Sequence, residues 1–99
     1  MNIRIHSVRF DADKKLQTFI ENKLKKLNKF FGDIVSAEVF LRLEKTQDSK
    51  NKIAEIKLEI PGNDLFVKKQ SKTFEQATDS AVNAIRRQLQ KHKEKIRAL

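Results

Sequence analysis

The spacing of hydrophobic residues changes several times along this chain, and the order of those changes constrains its fold more than any other feature. Near the start, Ile3 and Ile5 alternate with polar residues, which is the period of a half-buried strand. From residue 10 to residue 31 the period lengthens to three or four, which predicts an amphipathic helix. The apolar residues that share this longer period are Leu16, Phe19, Ile20, Leu24, Leu27 and Phe31.

Capping residues mark the ends of this helix and the start of a second one. Asp11 or Asp13 can accept an amide hydrogen bond at the N-terminus of the first helix, and Gly32 can adopt the left-handed conformation that ends many helices. Thr73 and Gln76 fit a capping box. The apolar residues that follow at helical spacing are Phe74, Ala77, Ala81, Val82, Ile85, Leu89 and Ile96. We therefore expect a second amphipathic helix that begins at Thr73.

Between the two helices the two-residue period returns in three segments, residues 33–44, 53–60 and 65–71. The polar residues 45–52 predict a loop, and Pro-Gly-Asn-Asp at residues 61–64 predicts a tight turn that joins the last two segments as a hairpin. The residues expected to face the core are Val35, Ala37, Val39, Leu41 and Leu43 in the first segment and Ala54, Ile56, Leu58 and Ile60 in the second.

The resulting order, β-α-β-β-β-α, limits the architecture. A right-handed crossover makes the first two strands parallel neighbours, and the remaining strands follow as an antiparallel meander. Each strand has one apolar face, so both helices must pack on that face. We expect a single α+β domain over residues 1–99, a two-layer sandwich in which a four-stranded, mostly antiparallel sheet carries both helices on one face. Two helices side by side leave a groove between them that faces solvent.

The net charge of +9 is concentrated in two short segments. Residues 23–29 contain four lysines and no acid, and residues 86–97 contain six cations and one Glu, so these segments account for the whole net charge. Charge that is segregated in this way indicates an anionic partner, because a chain that is basic only for solubility has no need of it.

Helical spacing groups these cations by face. Like charges four residues apart repel by a few tenths of a kcal/mol per pair, so the arrangement carries a small stability cost. A solvated surface is one explanation, but repulsion on two helices at once favours a surface that binds phosphates. The candidate residues are Lys23 and Lys26, which share a face of the first helix, and, on the second helix, the stripe Arg87, Lys91 and Lys95 and the neighbouring Arg86 and Lys93.

Other classes of function find little support in the composition. The chain has no cysteine and two histidines, so we expect no disulfide, metal or other cofactor. No apolar run approaches the roughly 20 residues that span a bilayer, and no export signal is visible, so we expect a cytoplasmic protein with no membrane partner. Acidic residues on the outer sheet face, beside Arg42 and Lys57, predict cross-strand ion pairs. With no set of nucleophile, base and orienting group, the chain is not expected to be an enzyme.

Aromatic residues limit how this chain could recognise RNA. It has no Tyr or Trp, and only Phe40 and Phe66 are placed to face outward from the sheet. RNA-recognition motifs stack bases on such a sheet, and their strand order also differs from the order here. We therefore expect recognition through phosphates and shape.

Three segments carry a resemblance to a known family. They are KLKKLNKFF at the end of the first helix, AEVFLRLEK in the second strand, and EIKLEIPGNDLFVKKQSKTFEQATDSAVNAIRRQLQKHKEK through the hairpin and the last helix. Together with the element order they resemble the ribosome hibernation-promoting factors, also called ribosome-associated inhibitors or sigma-54 modulation proteins. The resemblance covers essentially the whole chain and is closest to the short form of the family.

The resemblance implies a function in translation. Members of that family bind the small ribosomal subunit at the decoding centre, overlap the tRNA and mRNA sites, and inhibit translation in stationary phase or stress. Basic residues of both helices contact 16S rRNA. The matching positions here are Lys23, Lys26, Arg87, Lys91, Lys93 and Lys95, while Arg86 and Arg97 match less closely and only Arg86 is kept in the predicted site. A free monomer is expected, and joint action with a second hibernation factor in ribosome dimers stays open.

Two alternatives remain at this point. The basic helices could meet an acidic protein partner in a regulatory interaction module, or they could bind RNA duplexes in general by shape. Sedimentation with ribosomes separates the first alternative from a hibernation factor, and preference for intact small subunits over an arbitrary duplex separates the second.

Overall fold

A computed structural model describes residues 1–45 and 48–97, with Arg97 described by its backbone alone. The strands and helices follow one another in the predicted order β-α-β-β-β-α. Residues 46 and 47 of the predicted loop lie outside the described residues. The elements are β1 Asn2–Val8, α1 Lys14–Phe31, β2 Ser36–Leu43, β3 Lys52–Ile60, β4 Asn63–Ser71 and α2 Phe74–Arg97.

The four strands form one sheet in the order β1-β2-β3-β4. β1 pairs with β2 in parallel, with Ile5 opposite Val39, and the β2–β3 and β3–β4 pairs are antiparallel. Apolar residues of both helices and of the inner sheet face belong to one core, in which Ile20, Leu24 and Ile85 are fully buried. The predicted α+β sandwich, with both helices on one face of the sheet, is confirmed.

The capping residues act as their sequence positions indicate. Asp13, not Asp11, caps α1, because its Oδ1 accepts a 2.8 Å hydrogen bond from the amide of Leu16. At the other end, Gly32 has φ of 95° and donates its amide to the carbonyl of Asn28. The Thr73 hydroxyl accepts a 3.0 Å hydrogen bond from the amide of Gln76 and so caps α2.

The hairpin turn is shorter than predicted. Ile60 pairs directly with Asn63, so only Pro61 and Gly62 form the turn and β4 begins two residues earlier than expected. Proline fixes the first turn position and Gly62 takes a φ of 78° at the second, a combination typical of a type II turn. Two residues are therefore enough, and Asn63 and Asp64 are free to pair.

Three residues that were predicted to face the core are exposed. Val35 is 52% exposed and precedes β2, while Leu43 is 45% exposed and is the last residue of β2. Ile96 is 56% exposed and lies in the last turns of α2, well past the buried Leu89. For Leu43 and Ile96 the period continues to the end of the element, past the last buried residues, whereas before β2 the neighbouring Ile34, only 5% exposed, faces the core in place of Val35.

Candidate nucleic-acid interface

The two helices leave a groove between them, as the sequence predicts. Its volume is about 230 Å³, and it is open to solvent. We call it the helix groove; it is lined by Lys23, Lys26 and Leu27 from α1 and by Asp79, Val82, Asn83 and Arg86 from α2.

Helical spacing explains why these side chains meet. Lys23 and Lys26 are three residues apart on α1, next to the buried Leu24 and Leu27. On α2, the polar residues of the groove follow one another at steps of four and three. Positions at these steps share one side of a helix, so each helix presents a single polar edge to the other. Because both edges border the core, the groove has an apolar floor and charged walls.

One end of the groove is occupied by an ion pair between the helices. The Nζ of Lys23 lies 2.9 Å from Oδ1 of Asp79, and it also lies 5.4 Å from the centre of the Phe19 ring. About a third of the Lys23 side chain and nearly half of the Asp79 side chain are exposed. Lys23 therefore contributes a cation that is already matched by an acid within the protein.

The other end of the groove carries the cations Lys26 and Arg86, both exposed. The guanidinium of Arg86 lies 4.6 Å from the centre of the Phe30 ring, a cation-π distance that orients it along the wall of α1. Helical spacing groups Arg86 with Lys93, beside the stripe of Arg87, Lys91 and Lys95. In the structure Arg86 lines the groove, across from the lysines of α1.

Lys93 faces α1 as well, but it is engaged in a contact of its own. Its Nζ donates a 3.0 Å hydrogen bond to the carbonyl oxygen of Phe30 and lies 5.0 Å and 5.3 Å from the ring centres of Phe30 and Phe31. Carbonyl groups in the last turn of a helix lack partners within the helix and carry its negative dipole end, so a lysine stabilises them. Spacing within α2 cannot reveal a contact with a residue 63 positions away.

The remaining predicted cations lie outside the groove. Arg87 and Lys91, together with Gln90 and Glu94, line a separate shallow depression on α2, and Lys95 is exposed one turn further along. We call Arg87, Lys91 and Lys95 the outer stripe. The structure thus places three of the seven candidate residues in the groove, namely Lys23, Lys26 and Arg86, and three in the outer stripe, while Lys93 contacts the end of α1. The side chain of Arg97 lies outside the described residues.

The opposite face of the sheet carries a cross-strand ion pair, as predicted, and a hydrogen bond between a histidine and a carboxylate. Nε of Arg42 lies 2.9 Å from Oε1 of Glu55, and Nε2 of His6 lies 2.8 Å from Oε2 of Glu38. The His6 ring also stacks on Phe40, with 4.7 Å between ring centres. Phe40 is therefore already covered on this face. Among the described helices, none combines the length and apolar character of a membrane span.

Comparison with known proteins identifies relatives over the full length of the chain. The ribosome hibernation promoting factor of Pseudomonas putida KT2440 is 27% identical over 99 residues, which cover all of this chain and 93% of that protein. The ribosome hibernation promotion factor of Bacillus subtilis 168 is 30% identical over 98 residues, which cover 97% of this chain and half of that protein.

Two solved structures share the fold. The N-terminal domain of Protein Y from Thermus thermophilus superposes with a TM-score of 0.80 at 24% identity, over 93% of this chain and 99% of that one. A ribosomal subunit interface protein from Coxiella burnetii gives a TM-score of 0.84 at 19% identity, over 95% of this chain and 99% of that one. At these identities the likeness establishes the architecture.

A family model defines the relationship most directly. The model described as Sigma 54 modulation protein / S30EA ribosomal protein matches residues 3–97, nearly the whole chain. The resemblance carried by the helix and hairpin segments is thereby confirmed, and this chain belongs to the Sigma 54 modulation protein / S30EA ribosomal protein family.

Proposed function

We propose that this chain is a ribosome hibernation factor: it binds the small ribosomal subunit near the decoding centre, blocks tRNA and mRNA binding, and inhibits translation in stationary phase or stress. The observation that carries the proposal is the placement of the net charge. Both basic segments lie on adjacent helices, where Lys26 and Arg86 line one groove. The relatives named as hibernation factors support the same assignment.

The proposed contacts are phosphates of 16S rRNA. Five of the candidate cations are exposed and available for direct contact, whereas Lys23 and Lys93 would have to share or exchange a partner within the protein. With about four to six contacts, log affinity should fall with log salt at a slope of roughly −3 to −5. The exposed five are Lys26, Arg86, Arg87, Lys91 and Lys95.

In this proposal inhibition works by occupancy. A basic protein seated where tRNA and mRNA pass excludes them without bond chemistry or a cofactor. The protein would act in the cytoplasm and would be a monomer when free. Joint action with a second hibernation factor would appear as ribosome dimers, which sedimentation separates from single ribosomes.

Sedimentation of stationary-phase extracts through sucrose gradients tests the proposal. The protein should travel with small subunits and whole ribosomes, and its removal should change the ribosome profile. Recovery only in the light fractions would favour a regulatory module with an acidic protein partner. Equal affinity of the purified protein for small subunits and for an arbitrary RNA duplex would favour a general duplex-binding protein.

A further inference from the structure

Charge is distributed unevenly along the helix groove. On the wall formed by α2, Asp79, Asn83 and Arg86 follow one another along the helix, and on the wall formed by α1, Lys23 precedes Lys26 by three residues. Because Asp79 and Lys23 form the 2.9 Å ion pair, the end where they lie is nearly neutral. The end that holds Lys26 and Arg86 is cationic.

The distance between the two ends of the groove determines how strongly Asp79 repels a phosphate at each end. Asp79 and Arg86 are seven positions apart on α2, which is about 10 Å along the helix axis. The Debye length at physiological salt is roughly 8 Å, so the Asp79 carboxylate acts mainly on groups at its own end of the groove. A phosphate beside Lys23 meets that carboxylate directly, whereas one beside Arg86 is largely screened from it.

The ion pair is poorly explained as a stabilising tie between the helices. Both side chains are substantially exposed, and ion pairs of that kind contribute little to stability. The helices are already held by a buried core that includes Leu24, Leu27 and Ile85. We therefore explain the presence of Asp79 in an otherwise basic groove by its effect on the ligand that the groove binds.

We propose that Asp79 is a specificity-determining residue: it serves as the internal counter-anion of Lys23 and confines an RNA phosphate to the Lys26–Arg86 end of the groove. Backbone phosphates can then occupy one place in the groove, which favours an RNA whose fold presents a phosphate there. That the ligand is RNA rests on the proposed function; the confinement of the phosphate rests on the groove.

The test uses Asp79→Asn with Glu75→Gln as its matched control. Both changes remove one acid from α2, but exposed Glu75 lines a different depression beside Asp13 and Phe19. Binding is measured over a range of salt concentrations to an RNA duplex of arbitrary sequence and to intact small subunits. Thermal unfolding confirms that each variant is folded.

Asp79→Asn should release Lys23 to make one additional phosphate contact with the duplex. The slope of log affinity against log salt should then steepen by about 0.7 to 0.9, and the affinity should rise about five- to eightfold at 0.1 M salt. The gain should be smaller for small subunits, so preference for them falls. Glu75→Gln should leave the slope unchanged, and Lys23→Gln added to Asp79→Asn should restore the original slope.

An unchanged slope in Asp79→Asn, or equal changes in Asp79→Asn and Glu75→Gln, would overturn the role of Asp79. Failure of the proposed function looks different. In that case the unaltered protein shows no preference for small subunits over the duplex. The slope of log affinity against log salt, measured with the duplex, still tests the role of Asp79.

Discussion

The ammonium group of Lys93 donates a 3.0 Å hydrogen bond to the carbonyl oxygen of Phe30, and this contact joins the distal part of α2 to the last turn of α1. Arg86 lies over the ring of the same phenylalanine. Phe30 is therefore the point where cations of the second basic segment meet the helix that carries the first. The two segments are held side by side by specific contacts.

Replacement of Lys93 by Met should lower the free energy of unfolding by about 1 kcal/mol. The apolar stem is kept, but a charged donor to a helix-end carbonyl is lost, and the contact is only partly buried. Lys91→Met is the matched control, because Lys91 is exposed, and its effect should stay within about 0.5 kcal/mol. Urea unfolding measures both, and equal losses would show that the Phe30 contact contributes nothing.

Asp13→Ala should destabilise the protein by about 1 kcal/mol, since the amide of Leu16 loses the oxygen that caps α1. Asp11→Ala removes the same charge two residues away and should have little effect. The comparison is made by thermal or urea unfolding. A larger loss for Asp11 than for Asp13 would contradict the capping assignment.

Two valines of the same predicted stripe should respond differently to truncation. Val39→Ala removes fully buried methyl groups and should cost about 2 kcal/mol. Val35 is 52% exposed, so Val35→Ala should cost well under 1 kcal/mol. Unfolding free energies that do not differ between the two variants would contradict the position of β2 in the core.

The comparison of these residues shows what the sequence can and cannot predict. The periods of two and of three to four, with Asp13, Gly32 and Thr73 at the ends, were enough to predict the element order and the face on which the helices pack. Local patterns do not show where a layer ends, which is why Leu43 and Ile96 were expected in the core but are exposed. Nor do they show where the alternation of a strand begins, which is why Val35 was expected in the core in place of Ile34.

The candidate site, like the fold, could be predicted from the sequence only in part. Segregated charge pointed to both helices, and the groove between them was predicted from the packing. The partners of Lys23 and Lys93 lie on the opposite helix, so no spacing within either helix could indicate them. Likewise, that Arg86 faces the groove while Arg87 does not depends on how α2 is rotated against α1.

Charge reversals in the helix groove and in the outer stripe should each weaken binding to the small subunit. Lys26→Glu with Arg86→Glu alters the groove, and Arg87→Glu with Lys91→Glu alters the outer stripe. Loss of two phosphate contacts alone reduces affinity by about 25-fold or more at 0.1 M salt, and the new acids add repulsion. The control is Lys14→Glu with Lys15→Glu, the same charge change at exposed positions in the first turn of α1, where acids suit the helix dipole.

Co-sedimentation of these three double variants with purified small ribosomal subunits tests the central claim most directly. The account predicts that the Lys14/Lys15 variant travels with the subunits, while the Lys26/Arg86 and Arg87/Lys91 variants remain in the supernatant although they are folded. Undiminished binding of both the groove and the outer-stripe variants would contradict the claim that the cations of the helix pair bind the ribosome.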